Sequence, residues 1–200
     1  MPNEPGSNRL QPWTDAIAEM SGRNPTDPER LAQVLPHWLR ERWPAAAHIA
    51  VGDFSIPAAT GNSNETVIFR AKWQEQGRTG DDRYVLRIEP ATPPLFPQQT
   101  FTPMPSVEIQ YRAMQVVGQH GVPLAPLVGY EADPAVLGRP FFVMGYVDGQ
   151  VPSDVPPYSL AGFLVDQASP AQRRCLVESG LDVLARLHRI DLLLVALHLA

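Results

Sequence analysis

His188 and Asp191 bring an imidazole and a carboxylate together at the end of the leucine-rich stretch LARLHRID. Residues three apart share one face of a helix, so the pair raises the question of an acid-base centre. Two other readings of the same place are a membrane-seeking end and the edge of a longer chain. A second group is Val85, Arg87 and Glu89 in YVLRIEP, which strand alternation puts on one face, with Tyr84, Leu86 and Ile88 on the other. A lone Arg there is either a surface cation on an edge strand or a group aimed at an anion. The third is Gly61-Asn62-Ser63-Asn64. Its Gly permits close backbone approach, and the N–H groups and hydroxyl that follow can point at anionic oxygens; an ordinary hairpin turn reads equally well from the same residues.

The elements that must carry these groups follow from the apolar pattern. Residues 1–26 are rich in Pro, Gly, Asn and Ser around the short apolar patch Trp13 to Met20 and form a partly ordered N-terminal arm. Asp27 then caps a helix with Pro28 in its first turn, and Leu31, Val34, Leu35, Trp38 and Leu39 recur at helical spacing to about Arg42, with Pro36 kinking or dividing it. Three strands follow, His48 to Ile56, Glu65 to Trp73 and Arg83 to Glu89. Turns at Gly61-Asn62 and Gln76 to Asp81 make them an antiparallel meander.

The stretch PATPPLFPQQTFTPMP, residues 90–105, holds six prolines and is a loop. Ser106 caps a helix whose inner stripe is Val107, Gln110, Tyr111, Met114 and Val117, ending near Gly118 to Gly121. A short strand or turn in VPLAPLVGY and the apolar run Arg139 to Val147 complete a sheet of about five strands. The fold class is therefore α+β. Past the Pro-rich residues Val151 to Tyr158, Ser169-Pro170 opens a last helix with Leu176, Leu181, Leu184 and Leu187 on an apolar face.

Composition removes several function classes. A net charge of -5 with 16 scattered Lys and Arg does not suit general nucleic-acid binding, which needs clustered cations. The longest apolar run, Leu192 to Leu197, falls far short of the ~20 residues that span a bilayer, and MPNEPGSNRLQPW lacks the basic start and apolar core of a secretory signal. Cys175, the single cysteine, can form neither an internal disulfide nor a zinc cage; a buried structural thiol and a reducing, cytoplasmic setting are expected.

The order of these parts, with AATGNSNETVIF, YVLRIEP, GVPLAPLVGYEADPAVLGRPFFVMGYVDGQVP and LARLHRID, resembles the aminoglycoside phosphotransferase family of kinase-like small-molecule phosphotransferases, over about residues 45 to 191. The resemblance implies a nucleotide-binding lobe at 27–150 and, at 151–200, a linker and the first helices of an incomplete second lobe. It implies transfer of the terminal phosphate of ATP or GTP, with Mg2+, to a hydroxyl of a small molecule. Gly61, Ser63 and Asn64 would then lie over the phosphates. Val85 would lie under adenine, and Arg87, standing where protein kinases carry Lys, would reach the phosphates. Gly145, Tyr146 and Val147 would be the hinge that holds adenine through its main chain.

Two departures stand out. The family's Glu-Tyr-Arg falls on Gln110-Tyr111-Arg112, and a neutral amide can hydrogen-bond Arg87 without forming an ion pair. The family's catalytic Asp is followed five residues later by a metal-holding Asn; counted from Asp191, that position is Ala196. His188 and Asp191 match instead the helix end that precedes the catalytic half, so no catalytic residue is expected within these 200 residues and the chain alone is expected to be inactive. The resemblance is read as stopping at Asp191. A non-catalytic nucleotide-binding or interaction module, or a fragment, is the alternative, with self-association through an exposed lobe surface as its expected contact.

Overall fold

The computed structural model describes residues 26–57, 65–90, 106–152 and 156–191. The expected arm up to residue 25, the Gly61-Ser63-Asn64 turn, the loop at 91–105 and the residues after Asp191 lie outside them.

Helix α1 spans Pro28–Arg42; the Asp27 carboxylate accepts a hydrogen bond from Glu29 N–H at 3.2 Å, and Pro28 occupies the first turn, where its missing N–H costs nothing. Pro36 does not divide the helix. Leu31, Leu35, Trp38 and Leu39, at spacings of three and four, are all buried.

Strands β1 (Ala47–Ser55), β2 (Glu65–Glu75) and β3 (Arg78–Ile88) form the expected meander, and β4 (Leu127–Glu131) and β5 (Phe141–Gly145) extend it to a five-stranded antiparallel sheet ordered β1-β2-β3-β5-β4. Edge strand β1 carries two register shifts, with His48 and Asp53 in left-handed conformations (φ 53° and 52°), bulges that break the regular edge another chain could pair with.

The β2–β3 hairpin is tighter than the sequence suggested. Gln76 and Gly77 both have positive φ, 48° and 82°, and Glu75 pairs directly with Arg78, so Arg78 to Asp81 are strand rather than turn. A two-residue turn with positive φ at both positions matches the twist of the flanking strands, which lets pairing run to the tip.

One face of the sheet (Val67, Phe69, Ala71, Leu86, Ile88, Phe141, Val143) packs on α1 and on Leu137 of the short helix α3 (Pro134–Leu137) to make the main core. Helix α2 (Val107–Gln119) lies on the other face. Val107 and Val116 are its buried residues, while Gln110, Tyr111, Met114 and Val117 are half-buried, so the inner stripe turns toward Val116 rather than Val117.

After β5 come a short helix, α4 (Phe163–Asp166), and α5 (Pro170–His188), opened by a capping box between Ser169 and Gln172. Leu176, Leu181, Leu184 and Leu187 are 41–59% exposed, so among the described residues nothing covers the apolar face they form. Cys175 is exposed as well, which overturns the expectation of a buried thiol: the helix that carries it buries none of its residues.

Candidate functional site

Register places the candidate residues in two neighbouring rows on the α2 side of the sheet. Thr66, Arg87, Phe142 and Tyr130 are successive cross-strand partners in one row; Ile68, Val85, Met144 and Leu127 form the next. Rows two residues apart on a strand lie roughly 7 Å from each other. Val85 and Arg87 thus present an apolar patch and a cation side by side on one surface, and the Val85 row ends beside Gly145.

Arg87 is half-buried, and burial lowers its guanidinium from its ordinary value. A group so placed carries its charge at a cost that an anionic ligand would relieve.

Helix α2 is set against this surface at two points. The half-buried ring of Tyr111 packs on Tyr130 and Phe142, with ring centroids 5.8 Å away in each case. At the helix start, Ser106 Oγ accepts from Ile109 N–H at 3.1 Å and the Glu89 carboxylate accepts from Val107 N–H at 2.7 Å. Glu89 shares the strand face with Arg87, so the strand that carries the cation also caps the helix that carries Gln110. The carboxylate satisfies an otherwise orphaned N–H and complements the positive end of the helix dipole.

This role of Glu89 was not readable from the sequence, because Pro90 to Pro105 separate it from the amide it caps. Glu108, the one carboxylate within α2, pairs instead with Arg112 one turn on, at 2.7 Å. Gln110 is half-buried in the first turn of α2, with its N–H donating to Ser106 O at 3.1 Å.

The segment Gly145 to Val147, expected as a hinge, is fixed from both sides. Gly145 N–H donates to Pro126 O at 2.7 Å and Tyr146 N–H to Arg83 O at 2.9 Å. Both donors are therefore engaged inside the lobe, and Gly145 can meet a ligand through its carbonyl only. Val147 is 64% exposed. Arg83 stacks on the Tyr146 ring, 4.0 Å from its centroid, and pairs with Asp148, tying the residues after β5 back to β3. At the other end of β5, Arg139 donates to Glu89 O at 2.6 Å and pairs with Glu65 at 2.8 Å.

Of the seven sequence candidates, the structure brings Arg87 and Gln110 to the α2 side of the sheet and puts Gly145 and Val147 at its margin, while Gly61, Ser63 and Asn64 fall outside the described residues. Among the described residues, no three His, Cys, Asp or Glu side chains gather to hold a metal ion. His188 and Asp191 end α5 as a helix terminus; Arg189 N–H and Ile190 N–H close back on Arg186 and Leu187 carbonyls at 3.1 Å, and Ile190 is buried.

Two known proteins to which this chain is similar can be named. A mouse (Mus musculus) protein, acyl-CoA dehydrogenase family member 10, is 29% identical over 118 residues, 58% of this chain and 9% of its own length. A crystal structure from Ralstonia eutropha JMP134, provisionally assigned as an aminoglycoside phosphotransferase, is 26% identical with a TM-score of 0.49, covering 82% of this chain and 39% of its own. The chain thus spans well under half the length of either relative. The family model for the phosphotransferase enzyme family matches residues 56–197, so the likeness continues past Asp191, where the sequence reading had it stop. That match takes in Arg87, Gln110, the hinge and α5, and the chain belongs to the phosphotransferase enzyme family.

Proposed function

We propose that residues 27–150 form the nucleotide-binding lobe of an ATP- or GTP-dependent phosphotransferase acting on a hydroxyl of a small molecule. The observation that carries this reading is the register of β3 and β5: Val85 and Arg87 stand in adjacent rows on the α2 side of the sheet, and the Val85 row runs into the hinge.

In this reading adenine, or guanine, lies on Val85 and Met144 with the Gly145 carbonyl and the Val147 main chain at its edge. Arg87 meets the phosphates, Gln110 orients the Arg87 guanidinium, and Gly61, Ser63 and Asn64 close over the anionic oxygens. The nucleotide would supply the phosphoryl group, and Mg2+, which the family's chemistry implies, would offset charge on its phosphates; among the described residues no cluster of carboxylates would hold the ion. The residues of this chain bind and orient. A planar guanidinium in place of an ammonium gives two parallel donors, so Arg87 suits a bidentate contact to one phosphate.

A second reading is a nucleotide-binding module without phosphotransfer. It is favoured by Gln110 standing where the family carries Glu.

Titration with Mg-ATP and Mg-GTP, by calorimetry and by thermal shift, tests the shared part of both readings: saturable binding that Arg87→Met abolishes is expected, and absence of binding by the parent chain overturns both. A phosphotransfer assay on the same preparation separates them.

A further inference from the structure

The sheet outruns α1. The helix ends at Arg42, but β2 and β3 continue to the Gln76-Gly77 turn, leaving the α1-side face of their outer ends uncovered by helix. There a cavity of about 750 Å³ opens between Trp43, the β2–β3 ribbon, Pro126 to Val128 and the hinge. It is on the opposite side of the sheet from Val85 and Arg87 and shares only Gly145 with the nucleotide surface proposed above. Its size is that of a small-molecule site.

Its walls are aromatic. Trp43 packs against Tyr84 with ring centroids 5.3 Å apart and rings inclined by 48°, and against Trp73 at 6.4 Å and 50°. Three half-buried rings so inclined offer faces and edges around a corner rather than a flat stack. Glu75 and Asp82, on the same side of the ribbon, supply two carboxylates; neither forms an ion pair among the described residues.

The two arginines of the lining are committed elsewhere: Arg42 lies over the Trp38 ring at 3.6 Å and pairs with Glu131, and Arg83 lies over Tyr146 and pairs with Asp148. Each cation is balanced by an acid of its own; Arg78, the cross-strand partner of Glu75, and Arg70, which feels the Asp82 charge, lie outside the lining, so within the cavity wall the two carboxylates outnumber the uncommitted cations. Ring faces are electron-rich, and with two carboxylates beside them they select for positive charge.

We infer that this cavity binds an organic cation, an amine or quaternary ammonium bearing a flat apolar body, with the charge beside Asp82 and Glu75 and the body against Trp43 and Trp73. Because Gly145 and Tyr146 form part of the wall, an occupant touches the proposed hinge from behind.

The test is titration with benzyltrimethylammonium, followed by tryptophan fluorescence and calorimetry, with benzyl alcohol and benzoate as the neutral and anionic comparators. Saturable binding of the cation is expected, with both comparators weaker by about tenfold or more. The double variant Glu75→Gln/Asp82→Asn changes two side chains at the cavity mouth without changing their size. It should lose about tenfold in affinity for the cation while keeping its melting temperature, and Arg87→Met should leave that affinity unchanged. Equal affinity for benzyl alcohol, unchanged affinity in the double variant, or failure of the cation to saturate would each overturn the inference. The readout is independent of nucleotide, so a failure here and a failure of the nucleotide reading are distinguishable.

Discussion

Gly80 is the position where one added methyl group should be felt most sharply. It pairs across the β2–β3 ribbon with Trp73, whose indole lies directly over it: a Cβ built on Gly80 would sit 2.1 Å from Trp73 Cε2, 2.4 Å from Cζ2 and 2.5 Å from Nε1. Carbon atoms meet at about 3.5–4.0 Å, so Gly80→Ala must drive the ring outward by more than 1 Å. The ring cannot swing without disturbing Trp43, against which it packs.

Overpacking of this kind costs ~1–3 kcal/mol, and removing a strand glycine returns ~0.5–1 kcal/mol, for a net loss of up to ~2.5 kcal/mol. The sign should reverse when the ring is absent. In a Trp73→Ala background the three atoms nearest the added methyl are gone, and Gly80→Ala becomes neutral or stabilising by up to ~1 kcal/mol. Urea unfolding of the four proteins in the cycle measures this. A Gly80→Ala effect of the same sign and size with and without Trp73 would refute the claim that the indole occupies the space above Gly80.

Other perturbations separate site from scaffold. Arg87→Met removes a cation whose burial lowers its pKa, so the melting temperature should hold or rise while Mg-ATP binding is lost. Glu89→Ala removes the acceptor of Val107 N–H and should cost ~1.5–3 kcal/mol with faster hydrogen exchange at that amide; Glu89→Gln, which can still accept, should recover part of the loss. Tyr84, Tyr111 and Tyr130 all have phenol pKa values raised by burial, with Asp82 adding to the shift at Tyr84. Their folded pKa values lie above the unfolded value of ~10, so the neutral rings contribute stability that is fully present below pH ~10 and is lost as pH rises through the folded values. Tyrosinate absorbance should show a late-titrating fraction, and unfolding should begin in that alkaline window.

What could be read beforehand follows from how local the signals are. Helix α1 announced itself through Asp27, Pro28 and a regular apolar stripe, and the alternation in YVLRIEP placed Arg87 on the correct face because a buried sheet face allows only one parity. Strand number was legible from turn chemistry, yet the length of β3 was not: Gly80-Asp81 has the composition of a turn, but the tight Gln76-Gly77 turn carries the pairing past it, with the Trp73 ring covering Gly80. The burial of Cys175 was misjudged because helical periodicity reports that a face is apolar without reporting that anything covers it. Glu89 and Arg139 were invisible as structural groups, since each acts on residues far away in sequence.

These long-range contacts decide how the site is held together. A lobe with Glu in place of Gln110 could hold α2 against the sheet by an ion pair to the β3 cation, making helix position and phosphate contact depend on the same bond. Here Gln110 cannot supply that charge, and the structure anchors α2 by other means: the Glu89 carboxylate at its first N–H, the Tyr111 ring on Tyr130 and Phe142, and Val107 and Val116 buried beneath it. A charge-assisted cap of 2.7 Å and two aromatic contacts hold α2 on the sheet without a carboxylate at position 110. The loss of the carboxylate at position 110 is therefore compatible with an ordered α2. The cap that orders it comes from Glu89, two residues from Arg87 along the same chain segment.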